Sequence, residues 1–360
     1  MTTQVNNMDT DFRPKLFDQV IGQDEIKENL KLKIMAFNKT KKSVVHMLFL
    51  GFSGAGKTTL ANVVANEMGV RFHQIMATRI KNWNDFYSIL RNVEENDVLF
   101  IDEIHALSGD LQENLYGVME DFKCTIEDKN LQRQRIVSLP KFTLIGATTH
   151  TGDLKTALLS RFQYKGQLVP YTVEELTAMV ITAGERVYNL EIPHDIALRI
   201  AQLSRKTARV CYTLLRHFVD MAEASTPGKV TKDMLNKQLL YKMLRLHQID
   251  PIVGLDYASR KYLVNLIREG RPIGNKSLAN LCQEQLSTME SMIEPFLLSE
   301  INLEYINPSN GQTIVIKSPF VRITSKGRIP LEASHKYIKL CQSLQKQGWF
   351  KNESLNVKSE

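Results

Sequence analysis

The sequence has no run of about 18 apolar residues, the length a membrane-spanning helix requires, so no transmembrane segment is expected. Its four cysteines, Cys124, Cys211, Cys282 and Cys341, form no CxxC pair and lie near no histidine at metal-ligand spacing. That argues against a zinc site; Cys211 and Cys282 fall on apolar helical faces and read as small buried hydrophobes. Internal repeats and low-complexity segments are absent too, which removes repeat architectures and composition-driven disorder. The first residues, MTTQVNNMDTDF, lack the basic start and apolar core of a secretory signal, so a cytoplasmic location is expected. What remains is a chain of 360 residues, 43% hydrophobic and 24% charged, the composition of a globular protein of two or three domains. The net charge of +7 is compatible with a polyanionic partner.

The first half alternates strand and helix patterns. Val44 to Leu50 is an apolar run ending in a glycine-rich turn, after which Leu60, Val63, Val64 and Met68 recur at helical spacing. Val98 to Ile101 and Phe142 to Ala147 are further short apolar runs. Such runs separated by helices predict an α/β fold with a parallel sheet covered on both faces. Beyond Pro170 the pattern turns helical: Thr172 to Asn189, His194 to Ser204, Ala208 to Ala224 and Lys232 to Leu246. From Gly254 three short helices are expected, Tyr257 to Arg268, Lys276 to Gln283 and Met289 to Glu300. Apolar runs around Thr313 to Ile316 and Phe320 to Thr324 follow, and helices before a β-hairpin match a winged-helix module. The expected domains are residues 1–169 (P-loop ATPase), 170–248 (helical lid), 249–330 (winged helix) and 331–360, a tail with a short helix and a frayed end.

The sharpest signal is Gly51-Phe-Ser-Gly-Ala-Gly-Lys57-Thr58, which follows a strand and opens a helix as a P-loop must. Gly54 and Gly56 let backbone N–H groups turn toward phosphate oxygens, and the helix N-terminus adds its positive end. Lys57 can reach the β- and γ-phosphates, and Thr58 offers a hydroxyl to Mg²⁺. About 45 residues later, Val98-Leu-Phe-Ile-Asp102-Glu103 ends a buried strand on two acids. Asp102 is expected to hold Mg²⁺ through water and Glu103 to polarise the attacking water. Phe142 to Thr149 is expected to be the strand between these two, with a threonine at its tip near the γ-phosphate. Thr149 is favoured over Thr148 by its spacing to Arg161. Arg161, in Leu-Leu-Ser-Arg-Phe, is the candidate arginine acting on a neighbouring subunit's nucleotide, and Arg209, opening a lid helix, can contact phosphate within its own chain.

These motifs resemble the RuvB family of AAA+ motors. Arg13-Pro14-Lys15 with Ile21-Gly22-Gln23 is similar to its N-terminal adenine-binding segment. The run from Lys57 to Gly69, Leu99 to His105, Met119 to Phe122, Leu144 to Thr149, Ser204 to Arg209 and Ile293 to Leu297 also resemble family motifs. The resemblance implies nucleotide contacts at Phe12, Arg13, Gly54, Lys57, Thr58, Thr59, Glu120, Asp121, Phe122, Arg161, Tyr171 and Arg209; Tyr171 by itself reads equally as a lid-anchoring aromatic. It implies ATP and Mg²⁺ as cofactors, a homo-hexamer, and migration of Holliday junctions. Departures are visible: Phe52 and Ser53 replace two prolines, Leu159 replaces the first of two arginines, and Lys206 and Ala208 replace a glycine and a proline. None removes a catalytic group, so ATPase activity is expected to persist.

No acid occurs between Glu304 and Glu332, a stretch that holds Lys317, Arg322, Lys326 and Arg328. On a wing hairpin these would meet phosphates without reading sequence. Lys326-Gly327-Arg328 is the counterpart of two family arginines around a glycine, a further family contact is lost at Leu286, and Asn307 to Gly311 reads as the turn of a longer preceding hairpin. Cys124 to Leu139 stands where the family docks its junction-binding partner, RuvA, but Glu127 to Arg135 is strongly polar. Either the partner differs or it is a diverged RuvA. The expected function is an ATP-driven translocase on duplex and four-way junction DNA. The alternatives are a clamp-loader or helicase-loader type ATPase switch, against which a winged helix counts because loaders carry a helical collar, and a DNA-binding module with a degenerate nucleotide site, against which Lys57, Asp102 and Glu103 count.

Overall fold

A computed structural model describes residues 12–40, 45–128, 133–149, 151–226, 228–300, 302–306, 313–317 and 319–357, with the backbone alone at 127, 128, 133, 134, 302–306, 313, 314 and 317. Two compact units result, Met1–Tyr171 and Thr172–Glu360.

The first unit runs α1 (Asp24–Thr40), β1 (Met47–Leu50), α2 (Lys57–Met68), β2 (Phe72–Met76), α3 (Trp83–Leu90), β3 (Val98–Asp102), α4 (Gly109–Glu120), β4 (Lys123–Asp128), β5 (Arg133–Ser138), β6 (Thr143–Thr148), α5 (Thr156–Arg161) and β7 (Tyr164–Gln167). Five strands form a parallel sheet in the order β2-β3-β6-β1-β7, so β6 lies between β3 and β1 as its motif predicts. Strand alternation splits the apolar residues between two cores. Met47, Phe49, Val98, Phe100 and Ile145 face one core with α1 and α2. Leu48, Leu99, Ile101 and Leu144 face the other with α3, α4 and α5. Both faces are covered, which explains why β1, β3 and β6 read as unbroken apolar runs. β4 and β5 pair as the antiparallel hairpin expected from Cys124 to Leu139. Ile126 and Val137 pack against the second core, whereas Ile136 is 68% exposed.

The second unit begins with a lid of four helices, α6 (Val173–Tyr188), α7 (His194–Leu203), α8 (Ala208–Ala224) and α9 (Lys237–Leu246). α6 opens on a capping box: Glu175 N–H donates to the Thr172 hydroxyl (3.1 Å), and Thr172 N–H to the Glu175 carboxylate (2.7 Å). The single helix expected over 232–246 is instead a 3-10 turn, Lys232–Met234, and α9. Asn236 divides them, because its side chain accepts from Leu239 N–H (3.1 Å) as an N-cap.

The winged-helix part contains α10 (Tyr257–Glu269), α11 (Asn275–Cys282), α12 (Leu286–Thr288), α13 (Glu294–Leu298), β8 (Asn302–Ile306), β9 (Thr313–Lys317), β10 (Val321–Thr324), β11 (Gly327–Pro330) and α14 (Glu332–Lys346). The helix expected from Met289 is interrupted: a π-helical turn, Met289–Ile293, joins α12 to α13. Pro295 supplies the reason, since it cannot donate an i−4 hydrogen bond. β8–β9 and β10–β11 are separate antiparallel hairpins; the turn expected at 307–311 lies outside the described residues.

The frayed end expected near the C-terminus is corrected by the structure. α14 spans 15 residues, and Trp349, Phe350 and Leu355 beyond it are buried. Arg260 is the anchor. Fully buried, it donates from Nε to Glu353 (2.9 Å), pairs again with that carboxylate through Nη2, and lies 4.0 Å from the Phe350 ring centre. A buried guanidinium needs such satisfaction on every side. Arg260 and Glu353 are 93 positions apart, so no local pattern announces the pair.

Candidate active site

The site is built at the carboxyl ends of β1, β3 and β6. β1 delivers the chain into the P-loop, where Gly51, Gly54 and Gly56 take positive φ values of 153°, 84° and 99°. At Gly56 a Cβ would approach the Tyr171 hydroxyl to 3.1 Å, in a backbone conformation that side chains rarely adopt. The loop leads directly into α2, whose first residue is Lys57. Its side chain is buried, and Nζ donates to the carbonyls of Gly51 (2.7 Å) and Phe52 (3.2 Å). These two carbonyls help hold the ammonium across the mouth of the loop. Phosphate oxygens can exchange for those acceptors with a large electrostatic gain. Phe52 packs against the first core, so the replacement of a family proline here is absorbed by apolar burial.

Thr58 and Asp102 come together from α2 and β3: the threonine hydroxyl donates to Asp102 Oδ2 at 3.2 Å. Two hard oxygen donors on adjacent elements suit Mg²⁺ bound largely through phosphate and water. No group of three or more His, Cys, Asp or Glu able to hold a metal occurs among the described residues. Thr59, the next residue of α2, is partly buried.

Glu103 follows Asp102 in the left-handed region, with φ 50° and ψ 48°. Such a conformation costs a non-glycine residue energy and concentrates at functional sites. Its Oε2 meets the Thr149 hydroxyl at 3.5 Å and His105 Nδ1 at 3.3 Å. Thr148, by contrast, is fully buried, with its hydroxyl 2.9 Å from His105 Nδ1. The geometry therefore favours Thr149 at the acid and assigns Thr148 to a supporting contact.

Arg161 belongs to a different cluster. Its guanidinium pairs with Glu120 (3.2 Å), donates to the Ala157 carbonyl (2.7 Å) and lies 4.2 Å from the Tyr116 ring centre. Glu120 and Asp121 end α4 at the surface, and Phe122 turns the chain into β4 with φ 51°. Those carried-over contacts thus share one edge of the unit with Arg161. His46 holds that edge in place and carries no signal in sequence. Its Nδ1 accepts from Leu144 N–H (2.9 Å) and its Nε2 donates to the Met119 carbonyl (3.0 Å). Burial lowers its pKa, which keeps the ring neutral as that pairing requires.

The N-terminal segment is tied to the same unit. Phe12 is buried and Arg13 exposed. Asn66 donates to the Lys15 carbonyl (3.0 Å), and Gln23 forms two hydrogen bonds with Val169, at 2.7 and 3.1 Å. Tyr171 donates to the Ala55 carbonyl at 3.2 Å, anchoring the chain to the back of the P-loop just before the lid. Arg209 stands exposed in the first turn of α8, on the second unit.

The wing separates the four expected DNA residues. Arg322 and Lys326 are exposed on β10–β11. Arg328 grips Glu294 with both Nε (2.8 Å) and Nη2 (3.0 Å), while Tyr262 donates to the same carboxylate (2.9 Å). Arg328, expected at phosphate, is engaged in an internal ion pair in this structure. Gly327 permits it, since a Cβ there would run into the backbone of Ile273. The Lys317 side chain lies outside the described residues, and Leu286 opens α12.

Three family models match between residues 12 and 307. The Holliday junction DNA helicase RuvB P-loop domain matches residues 12–168, the RuvB AAA lid domain 171–249 and the RuvB C-terminal winged helix domain 252–307. The chain belongs to the RuvB family. The RuvB subunit of the Holliday junction branch migration complex from Campylobacter hominis is 39% identical over 314 residues, spanning 86% of this chain and 90% of its own length. That of Prochlorococcus marinus is 34% identical over 335 residues, spanning 92% and 87%. The solved Thermotoga maritima RuvB Holliday junction branch migration motor superposes with a TM-score of 0.76 at 32% identity, over 91% of this chain and 98% of that one. RuvB membership agrees with the α/β P-loop domain, lid and winged helix described above. No helix among the described residues is long and apolar enough to cross a membrane.

Proposed function

We propose that this chain is an ATP-driven motor that migrates four-way DNA junctions. The observation that carries the reading is the convergence of Lys57, Thr58, Asp102, Glu103 and Thr149 at the ends of β1, β3 and β6, in a chain that also holds a winged helix. The P-loop binds the triphosphate through turned-in N–H groups and Lys57. Mg²⁺, held by Thr58 and Asp102, supplies charge neutralisation when bound. Glu103 orients water and takes its proton as the new P–O bond forms; the bond to the β-phosphate oxygen breaks and ADP leaves with the electron pair. Thr149 steadies the Glu103 carboxylate. Arg161 of an adjacent subunit compensates the transition-state charge, and Arg209 senses the nucleotide from the lid. That division makes a ring the working form, and we read it as a cytoplasmic hexamer acting with a RuvA-like protein. A loader-type switch is disfavoured because the third domain is a winged helix rather than a collar.

On the DNA side, Arg322 and Lys326 engage phosphates, whereas Arg328 supports the wing. Lys326→Ala should weaken junction binding for every sequence tested and reduce the salt slope by about one ion. Arg328→Ala should instead cost about 3 kcal/mol of stability, on the order of 10 °C in Tm, because it strands the buried Glu294. Equal salt slopes for wild type and Lys326→Ala would remove the wing from the interface. The function itself is tested by dissociation of a synthetic four-way junction with ATP, with and without a RuvA-type protein. ATP-dependent dissociation in either arm is expected; ATP hydrolysis without dissociation in both would favour the loader reading.

A further inference from the structure

We propose that His105 is a positioning residue for hydrolysis, locking the Glu103 carboxylate onto the sensor strand β6. The proposal rests on the reading of Glu103 as the group that orients the lytic water. The 3-10 turn Ile104–Ala106 follows Glu103 directly and turns the His105 ring back toward it. Its Nδ1 sits 3.3 Å from Glu103 Oε2 and 2.9 Å from Thr148 Oγ1. One ring atom therefore touches both the acid at the end of β3 and the last residue of β6.

A carboxylate only accepts hydrogen bonds, so Nδ1 engages Glu103 in the tautomer in which it carries the proton. The Nδ1–H tautomer satisfies Glu103 and can share its hydrogen with the Thr148 oxygen. Thr149 donates to the same Oε2 from the other side. Among the described residues, Thr149 and His105 both meet the Glu103 carboxylate at Oε2. Glu103 also needs the restraint. Its backbone is left-handed, and its side chain is 31% exposed, so its carboxylate reaches solvent and gains from a fixed partner. His105 is more buried, at 19%, and can impose the orientation. Thr148 is immobile in the sheet, fully buried and paired with β1, so the restraint is referred to the rigid core.

The test uses the full chain with DNA and compares ATP turnover of His105→Leu, His105→Asn and Thr148→Val. An asparagine amide nitrogen can stand near the place of Nδ1 and donate in the same way. Loss of one positioned hydrogen bond at a reacting group typically costs 10- to 1000-fold in rate. His105→Leu should lower kcat by about 10- to 100-fold with KM and affinity for a fluorescent ATP analogue within about 3-fold. His105→Asn should recover to within about 5-fold of wild type, and Thr148→Val should fall between the two. Placed on Glu103→Gln, His105→Leu should add no further loss, because the group it positions is already disabled. The proposal is overturned if His105→Asn is as impaired as His105→Leu, if kcat of His105→Leu stays within about 2-fold of wild type, or if its loss adds fully to that of Glu103→Gln. Should His105→Leu fail to fold, Thr148→Val decides: kcat lowered at least about 5-fold with KM within about 3-fold supports the proposal, and kcat within about 2-fold of wild type overturns it. Wild-type turnover in Glu103→Gln would instead bring down the reading of Glu103, which separates the two failures.

Discussion

In Lys57→Ala, ATP turnover should fall to background and nucleotide affinity by at least about 100-fold, on the order of 3 kcal/mol. Lys57 is the cation whose Nζ bridges the Gly51 and Phe52 carbonyls at the mouth of the P-loop. A triphosphate arriving there replaces neutral carbonyl acceptors with anionic ones. Alanine removes that charge and leaves the N–H groups of the loop as the remaining attraction. Phosphate release and analogue titration measure the two effects, and the melting profile of the variant checks that the fold survives. Turnover within about 10-fold of wild type would refute the P-loop assignment.

Arg161→Ala should lower kcat by about 10³- to 10⁵-fold while nucleotide binding stays within a few-fold, the signature of a group needed only in the transition state. Within its own chain this arginine does not meet the P-loop cluster. It is preorganised by Glu120, the Ala157 carbonyl and the Tyr116 ring at another edge of the unit. A guanidinium held in this way spends little entropy when a neighbouring nucleotide arrives. Steady-state kinetics with a parallel binding titration separates the two quantities; equal losses in both would make Arg161 an ordinary ground-state ligand.

Much of the site could be read from sequence because its chemistry is local. A glycine-rich turn between a strand and a helix, and two acids at a strand end, are short patterns with a physical reason for each position. They located Lys57, Thr58, Asp102 and Glu103, and the position of β6 between β1 and β3 followed from the same logic. Contacts spanning long stretches were not legible. Arg328 reads as one more wing cation until Glu294, 34 positions away, is seen to hold it. The C-terminal segment reads as frayed because its anchor, Arg260, lies 93 positions before Glu353. His46 and His105 were silent for a related reason. A lone histidine has no spacing rule, and each finds its partner only when β6 is brought beside it. The π-helical turn before α13 was missed although Pro295 is its signal, because the apolar spacing around it continues as a helix.

The most direct measurement is ATP turnover across a titration of Arg161→Ala subunits against Glu103→Gln subunits. Neither variant alone should hydrolyse ATP appreciably. In a random mixture at equal amounts, about a quarter of the interfaces pair an intact Glu103 with an intact Arg161 from the next subunit, so turnover should rise to a maximum near that ratio. A flat response at every ratio, with both variants shown to assemble together, would contradict a pocket completed by the adjacent subunit.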